Sequence, residues 1–290
     1  MPDQVATVVE NQSLPGGHFL LSLHAPRQAP LTRPGQFAML RAPGQPEVLL
    51  RRPMSIYDVK PSGAEANGSA GGNGHASSVI QLLYKVVGKG TRLMAELKAG
   101  DRVDLLAPLG HGFFEEEYLE EARSSHEVLH VAGGIGIAAL LLPAKSLARE
   151  RIPQRLFFGG RTQWDLAGLD DFEPFTGAPV LATEDGSRGH RGYVTRPLGD
   201  YLERNRGKRF LLLACGPWAM LHGVAEMACA HGHAALVSME NRMGCGLGVC
   251  LGCCIRVDGD GHGSYERVCT EGPVFWASRV VWEKESIPKT

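Results

Sequence analysis

Residues 129–139 read Leu129-His130-Val131-Ala132-Gly133-Gly134-Ile135-Gly136-Ile137-Ala138-Ala139: an apolar run, a glycine turn, then an apolar segment of helical period. Strand, tight turn and helix in that order, with Gly134-x-Gly136-x-x-Ala139 at the turn, match the dinucleotide fingerprint. In that fingerprint glycines let backbone N–H groups and a helix N-terminus approach a pyrophosphate. The pattern extends outward. Apolar strand candidates at 128–132, 155–158, 180–183 and 210–214 alternate with segments of helical period at 138–149 and 217–231, which predicts βαβ units on a parallel sheet. Ligands of such sheets bind beyond the C-terminal strand ends. Gly133, Gly134 and Gly136 are therefore candidate nucleotide contacts, as are Cys215, Gly216 and Pro217 at the end of the last strand. The turn Thr183-Glu184-Asp185-Gly186 has the same placement, and both it and Cys215-Gly216-Pro217 also read as plain turn punctuation. One feature departs from the fingerprint. An Asp or Glu is expected about 20 residues on, at the end of the second strand, yet that strand runs into Phe158-Gly159-Gly160-Arg161-Thr162 with no acid. His130 is expected in the core.

The first hundred residues have a different rhythm. Runs such as Phe19-Leu20-Leu21-Ser22-Leu23, Phe37-Ala38-Met39-Leu40 and Val79-Ile80-Gln81-Leu82-Leu83-Tyr84 are broken by Gly and Pro, the mark of an antiparallel barrel or sandwich. Residues 60–78 are rich in Gly, Ser, Ala and Asn and read as a flexible loop extending a hairpin. Arg52-Pro53-Met54-Ser55 follows the apolar Val48-Leu49-Leu50. On an extended segment Arg52 suits a pyrophosphate and the Ser55 hydroxyl a flavin ring edge, although an edge strand with solvated arginines reads the same way. Tyr84-Lys85-Val86-Val87-Gly88-Lys89-Gly90-Thr91 then leads into a helical stretch at 92–97. A glycine turn ending in Thr at a helix start suits a second phosphate contact, or a plain N-cap.

Five of the seven cysteines, Cys245, Cys250, Cys253, Cys254 and Cys269, fall within 25 residues. The spacing C-x4-C-x2-C, with a fourth Cys after fifteen intervening residues, is the plant-type 2Fe–2S signature. Gly246, Gly248 and Gly252 let the loop wrap a cluster and aim N–H groups at sulfur. A four-cysteine zinc site or inert buried thiols are the alternatives, but zinc ribbons usually show two C-x2–4-C knuckles. Cys254 sits beside a spaced cysteine and is read as a spectator; Cys215 and Cys229 are expected to be buried.

The rest of the composition narrows the class. A length of 290 residues predicts about two domains, with or without a small appendage. Thirty basic against thirty-one acidic residues leaves no global basic field for nucleic acid or an anionic membrane. The longest apolar stretch without a charged residue, 128–144, has 17 residues and contains His130, three glycines and Pro143, too short and broken for a membrane span. The N-terminus lacks signal-peptide character, and the cysteines do not form a secreted disulfide scaffold. A reducing cytoplasm is expected.

The order Arg52-Pro53-Met54-Ser55, Gly90-Thr91, Pro108-Leu109-Gly110-His111-Gly112-Phe113, Gly133-Gly134-Ile135-Gly136, Cys215-Gly216-Pro217 and the cysteine loop resembles the electron-transfer subunits of class 1B dihydroorotate dehydrogenases, within the ferredoxin reductase superfamily. The resemblance covers nearly the whole chain. It is most specific at Met243-Gly244-Cys245-Gly246-Leu247-Gly248-Val249-Cys250, with Cys269 and Gly272-Pro273-Val274-Phe275 after it. It implies a flavin-binding antiparallel β-barrel at 1–115, a parallel-sheet NAD-binding α/β domain at 125–235 and a small 2Fe–2S domain at 236–290. It implies FAD contacts at Arg52, Pro53, Met54, Ser55, Leu83, Tyr84, Lys85, Gly90 and Thr91, and cluster ligands Cys245, Cys250, Cys253 and Cys269. The absent ribose acid also fits, because that superfamily does not use it.

The implied function is electron transfer in pyrimidine biosynthesis. An FMN-binding catalytic partner, in a heterotetramer of two of each subunit, oxidises dihydroorotate. Electrons then reach NAD+ through the cluster and FAD, and this chain has no substrate-oxidation site or catalytic acid–base pair of its own. Apolar Met239, Met243, Leu247, Val249 and Leu251 on the glycine-rich loop are expected to form the docking surface, the alternative being that they pack down on the two larger domains. The family points to NAD, whereas Arg161 stands where a 2′-phosphate could be met. Rival readings are the electron-transfer subunit of a sulfhydrogenase or a ferredoxin-dependent transhydrogenase, or a zinc-stapled nucleotide-binding regulator. A transhydrogenase subunit is expected to carry a non-Cys cluster ligand, which four well-spaced cysteines oppose.

Overall fold

The computed structural model describes residues 5–42, 50–60, 78–113, 116–258 and 263–282. The expected loop at 60–78 falls almost wholly outside them, as do Val48 and Leu49. The N-terminal half forms one seven-stranded antiparallel sheet. Its strands are β1 (Val5–Leu14), β2 (His18–His24), β3 (Phe37–Arg41), β4 (Arg52–Ser55), β5 (Asp58–Lys60), β6 (Val79–Lys85) and β7 (Arg102–Leu109), in the order β4-β3-β7-β1-β2-β6-β5. The two edges, β4 and β5, are separated in sequence only by Ile56 and Tyr57. A link that short reaches roughly 10 Å, so the sheet must roll up until its edges meet. Ala6, Val8, Leu21, Leu23, Ala38, Leu40, Ile80, Leu82, Val103 and Leu105 fill the inside of the roll. A short helix, α1 (Lys89–Ala95), crosses between β6 and β7.

After α2 (Glu116–Ser124) the chain builds a second sheet. β8 (Glu127–Gly133), β9 (Gln154–Gly160), β10 (Val180–Thr183), β11 (His190–Arg191), β12 (Phe210–Cys215) and β13 (Ala234–Ser238) are parallel, ordered β11-β10-β9-β8-β12-β13. The connections include α3 (Leu141–Arg149), α4 (Glu173–Thr176), α5 (Thr195–Arg204) and α6 (Trp218–His231). All four predicted strands are present, with β8 and β12 at the centre and buried along nearly their whole length. His130 is fully buried and its Nε2 lies 2.7 Å from Gln154 Oε1. Burial pushes that imidazole's pKa down to about 4.

The fingerprint helix departs from expectation. Gly134–Ala139 is a 3-10 turn, and α3 opens only at Leu141. A Cβ on Gly136 would lie 2.3 Å from the Cys215 carbonyl oxygen and 2.7 Å from the Gly216 nitrogen. Backbone pressed onto the end of β12 at that distance tightens the turn before the α-helix can start.

Beyond β13 the chain makes the cysteine loop and a two-stranded ribbon, β14 (Cys254–Val257) and β15 (Ser264–Arg267). It then returns as β16 (Val274–Trp276), antiparallel to β13, with Ser238 opposite Val274. Cys253, Ile255, Val268, Cys269 and Phe275 share one apolar core with Leu212, Ala214 and Val237 of the parallel sheet and with Phe37 and Met39 of the barrel. Polar staples also join barrel and sheet: Lys145 Nζ lies 2.5 Å from the buried Asp58 carboxylate, and the Tyr57 hydroxyl donates to Asp171 at 2.5 Å. Among the described residues no helix is long and apolar enough to cross a membrane.

Candidate cofactor cleft and metal centre

A cleft of about 660 Å³ opens at the C-terminal ends of β8, β9, β10 and β12. Gly133, Gly134 and Gly136 line one wall, Gly216 and Pro217 the next, and Gly159 and Gly160 a third. These are backbone walls, with the close approach a nucleotide requires. A Cβ on Gly133 would stand 2.7 Å from Pro217 and from Met220 Sδ. Cys215, the third candidate of that turn, does not line the cleft: its side chain is buried in the core, and burial pushes its thiol pKa up. Gly136→Ala is expected to destabilise the protein by about 1–3 kcal/mol, since backbone rather than a mobile side chain stands in the way. Urea unfolding measures this, and an unchanged midpoint would show that the turn has room.

The end of β9 carries no acid, but three acids reach the cleft from other parts of the chain. Asp165, Glu184 and Glu240 all line the cleft. Asp165 ends a 3-10 turn that Thr162 caps: Trp164 N donates to Thr162 Oγ1 at 3.2 Å, and Thr162 N donates back to Asp165 Oδ2 at 3.2 Å. The Thr162-x-x-Asp165 capping box was legible in sequence. Its partner was not, because Asp165 is paired with Lys85 of β6, in the other sheet. Burial opposes ionisation of Asp165, but Lys85 holds its carboxyl below the usual range. Arg161 has a largely exposed side chain 3.8 Å from Asp165. Glu184 is fixed by the zipping of two strand ends, with Glu184 N donating to Gly160 O and Asp185 N to Arg161 O, both at 3.1 Å.

The flavin candidates lie on β4, β6 and α1. Arg52, Pro53, Met54 and Ser55 are half-buried and pair with Leu40, Met39, Ala38 and Phe37. Arg52 passes over Gly90, where a Cβ would be 2.5 Å from its Nε. With Arg41, Gly90, Leu93 and Met94 it lines a small pocket. Its neighbour Arg51 is held elsewhere, donating to Asp104 from Nε at 3.1 Å and Nη2 at 3.0 Å. The helix starts earlier than the expected 92–97, so Gly90 and Thr91 lie inside its first turn. Thr91 Oγ1 accepts from Val87 N at 2.9 Å and Gly88 N at 3.1 Å, which occupies the hydroxyl with shaping the loop. Leu83 is buried, and Tyr84 stacks on Phe19 and donates to Asn11 at 3.3 Å. Of Leu83, Tyr84 and Lys85, only Lys85 lines the cleft.

In the cysteine loop the thiols of Cys245 and Cys250 are within hydrogen-bonding reach, and so are those of Cys253 and Cys269. Two pairs suit a binuclear cluster, in which each iron takes two thiolates. Among the described residues no three His, Cys, Asp or Glu side chains gather at a single ion position. Burial works against the Cys245 thiolate, but N–H groups of Leu247 at 3.3 Å and Cys250 at 3.5 Å bring its pKa down to about 6. Burial and the Cys253 thiol raise that of Cys269 to about 11. Gly246 and Gly248 take φ values of +71° and +78°, and Gly246 is pressed against Met39 of the barrel. The residues thus fit a 2Fe–2S cluster in donor type, pairing and N–H groups aimed at sulfur. Leu247, Val249 and Leu251 are exposed, as the docking reading needs. Met239 is not: it is 2% exposed and its N–H donates to Pro273 O at 2.8 Å, because β16 covers it. Cys229, expected to be buried, is exposed on the outer face of α6.

The family described as the iron–sulfur cluster binding domain of dihydroorotate dehydrogenase B matches residues 240–281. The dihydroorotate dehydrogenase B (NAD(+)) electron transfer subunit of Desulforamulus reducens is 34% identical over 266 residues, covering 91% of this chain and 93% of that one. The chain belongs to this family. The subunit of the same name from Geobacillus thermodenitrificans is 34% identical over 275 residues, covering 95% of this chain and 97% of that one. Among solved structures, one described as an NADH-dependent reduced ferredoxin-NADP oxidoreductase superposes with a TM-score of 0.78 at 28% identity, over 96% of this chain and 90% of that one. A ferredoxin reductase in carbazole 1,9a-dioxygenase, at 22% identity and a TM-score of 0.60, shares the fold.

Proposed function

We propose that this dihydroorotate dehydrogenase B subunit carries electrons between an FMN-binding catalytic subunit and NAD+, by way of a 2Fe–2S cluster and FAD, in pyrimidine biosynthesis. The observation that carries the reading is the glycine-rich loop pressed against the barrel, in which the N–H groups of Leu247 and Cys250 are aimed at the Cys245 sulfur while Cys253 and Cys269 are buried together in the adjoining core. When bound, the three groups divide the chemistry: the cluster moves one electron, nicotinamide two, and flavin either.

The chain's residues hold and orient. Cys245, Cys250, Cys253 and Cys269 ligate the cluster; Arg52 meets the FAD pyrophosphate with Gly90 giving it room, and Ser55 the ring edge. The glycine walls at Gly133, Gly134, Gly136 and Gly216 take the NAD pyrophosphate. The barrel at 1–115, the α/β domain at 125–235 and the cluster segment at 236–290 are the corresponding units. Leu247, Val249 and Leu251 form the apolar centre of the docking surface, in a cytoplasmic heterotetramer of two subunits of each kind.

The test is co-expression with an FMN-binding dihydroorotate dehydrogenase subunit of the same genome. A stable complex with NAD+-dependent dihydroorotate oxidation is expected. Separate elution without that activity would overturn the partner even if every cofactor were bound. The likeness to the ferredoxin-NADP oxidoreductase structure supports a second reading, a transhydrogenase subunit. Reduction of NADP by ferredoxin and NADH in place of dihydroorotate oxidation would select it.

A further inference from the structure

Arg267 stands two residues before Cys269, at the end of β15, and reaches across into the loop that carries Cys245 and Cys250. Its Nη1 donates to the Gly248 carbonyl at 3.0 Å. On the other side Nε donates to Glu271 Oε2 at 2.9 Å, and Nη2 to Glu271 Oε1. Glu271 Oε2 also accepts from the Arg267 backbone N–H at 2.7 Å, and Thr270 Oγ1 donates to Glu271 Oε1 at 3.1 Å. The Arg267 carbonyl in turn accepts from the N–H groups of Thr270 at 3.1 Å and Glu271 at 2.9 Å. The guanidinium is therefore fixed at both ends, a strap between the segment of one cysteine pair and the segment of the other. Gly248 leaves no slack beneath it, since a Cβ there would lie 3.2 Å from Arg267 Nη1 and 2.8 Å from Thr270 Cγ2.

The cation's place gives it a second effect. Four thiolates and two sulfides carry eight negative charges and two ferric ions six positive ones, so the oxidised cluster is 2− and its one-electron reduced form 3−. A positive charge held beside the site favours the more negative form, and a negative charge opposes it. Arg267 lies two residues from Cys269, and its guanidinium sits on the Gly248 carbonyl, midway between Cys245 and Cys250 in the loop. The pair is only about one-third exposed, at 37% for Arg267 and 32% for Glu271, so solvent screens it incompletely. A lysine would keep the charge, but it lacks the planar fork that reaches Gly248 and Glu271 together.

We propose that Arg267, oriented by Glu271, is a positioning residue that straps the two cysteine pairs together and sets the midpoint potential of the 2Fe–2S cluster. The proposal rests on the cluster reading above. It is tested by redox titration of the purified holoprotein, followed by electron paramagnetic resonance, for wild type, Arg267→Gln, Arg267→Lys and Glu271→Gln. Arg267→Gln is expected to lower the reduced-to-oxidised ratio at a fixed potential about tenfold, a shift of about 59 mV to more negative values for a one-electron couple. Glu271→Gln is expected to move it the other way. Arg267→Lys should keep the potential near wild type yet release iron to a chelator several-fold faster. Potentials unmoved in both Arg267→Gln and Glu271→Gln would overturn the electrostatic role, and wild-type iron release from Arg267→Lys would overturn the strap. If Arg267→Gln does not retain its cluster, Glu271→Gln alone decides, and an unmoved potential there overturns the proposal. Absence of any iron–sulfur signal from wild type would overturn the cofactor reading itself, and the strap with it.

Discussion

Cys250→Ser is expected to yield a protein that keeps its flavin and loses its cluster. Serine is a weak ligand for iron, and the change leaves Cys245 without the thiol it pairs with. One iron would then hold a single protein thiolate. Arg52 lies on β4 of the rolled antiparallel sheet and Gly90 in α1, both away from the cysteine loop, so FAD retention is expected not to depend on Cys250. Iron and sulfide analysis should fall to background while the flavin bands persist. NADH should still reduce an artificial acceptor, whereas transfer to the partner flavoprotein should stop. An intact cluster in this variant would remove Cys250 from the ligand set. Cys254→Ser is the control, because Cys254 begins β14, with its carbonyl accepting from Asn241 at 3.0 Å, and it has no place in either pair.

Arg52→Ala should weaken FAD binding by about tenfold to a hundredfold, since a charge-assisted contact to a pyrophosphate contributes about 1.5–3 kcal/mol. The structure sharpens the control. Arg51 is held by Asp104, so Arg51→Ala loses a partly exposed ion pair and should leave FAD affinity near wild type. Equilibrium dialysis against free FAD distinguishes the two variants. Equal affinity in both would refute the assignment of Arg52.

Much of this was legible in the chain because the signals are local. Runs of four or five mostly apolar residues marked β8, β9, β10 and β12, and the cysteine spacing marked the cluster loop before any geometry was known. The misses are of two kinds. Some needed tertiary contacts that no local pattern encodes: the pairing of Lys85 with Asp165, Met239 covered by β16, and the 3-10 turn forced by the Cys215 carbonyl. Others were readable. The buried face of α6 runs Leu221, Val224, Ala225 and Ala228, a helical stripe that Cys229 falls outside. Asp165 was likewise announced by the capping box that Thr162 opens.

The return of the chain as β16 bears on kinetics. The cysteine loop is tethered by β13 on one side and β16 on the other, and His111 N–H of the barrel side donates to the Gly272 carbonyl at 2.7 Å. A carrier on a flexible arm gains reach, but each turnover then waits for the arm to swing. Here both ends are woven into a sheet, so the fold would hold the gap between a bound cluster and a bound flavin constant. Tunnelling falls exponentially with distance, and a constant gap gives every molecule the same hop. With cluster and flavin bound, internal electron flow is therefore expected to show a single phase indifferent to solvent viscosity, with any slow diffusive step at the arrival and departure of nicotinamide.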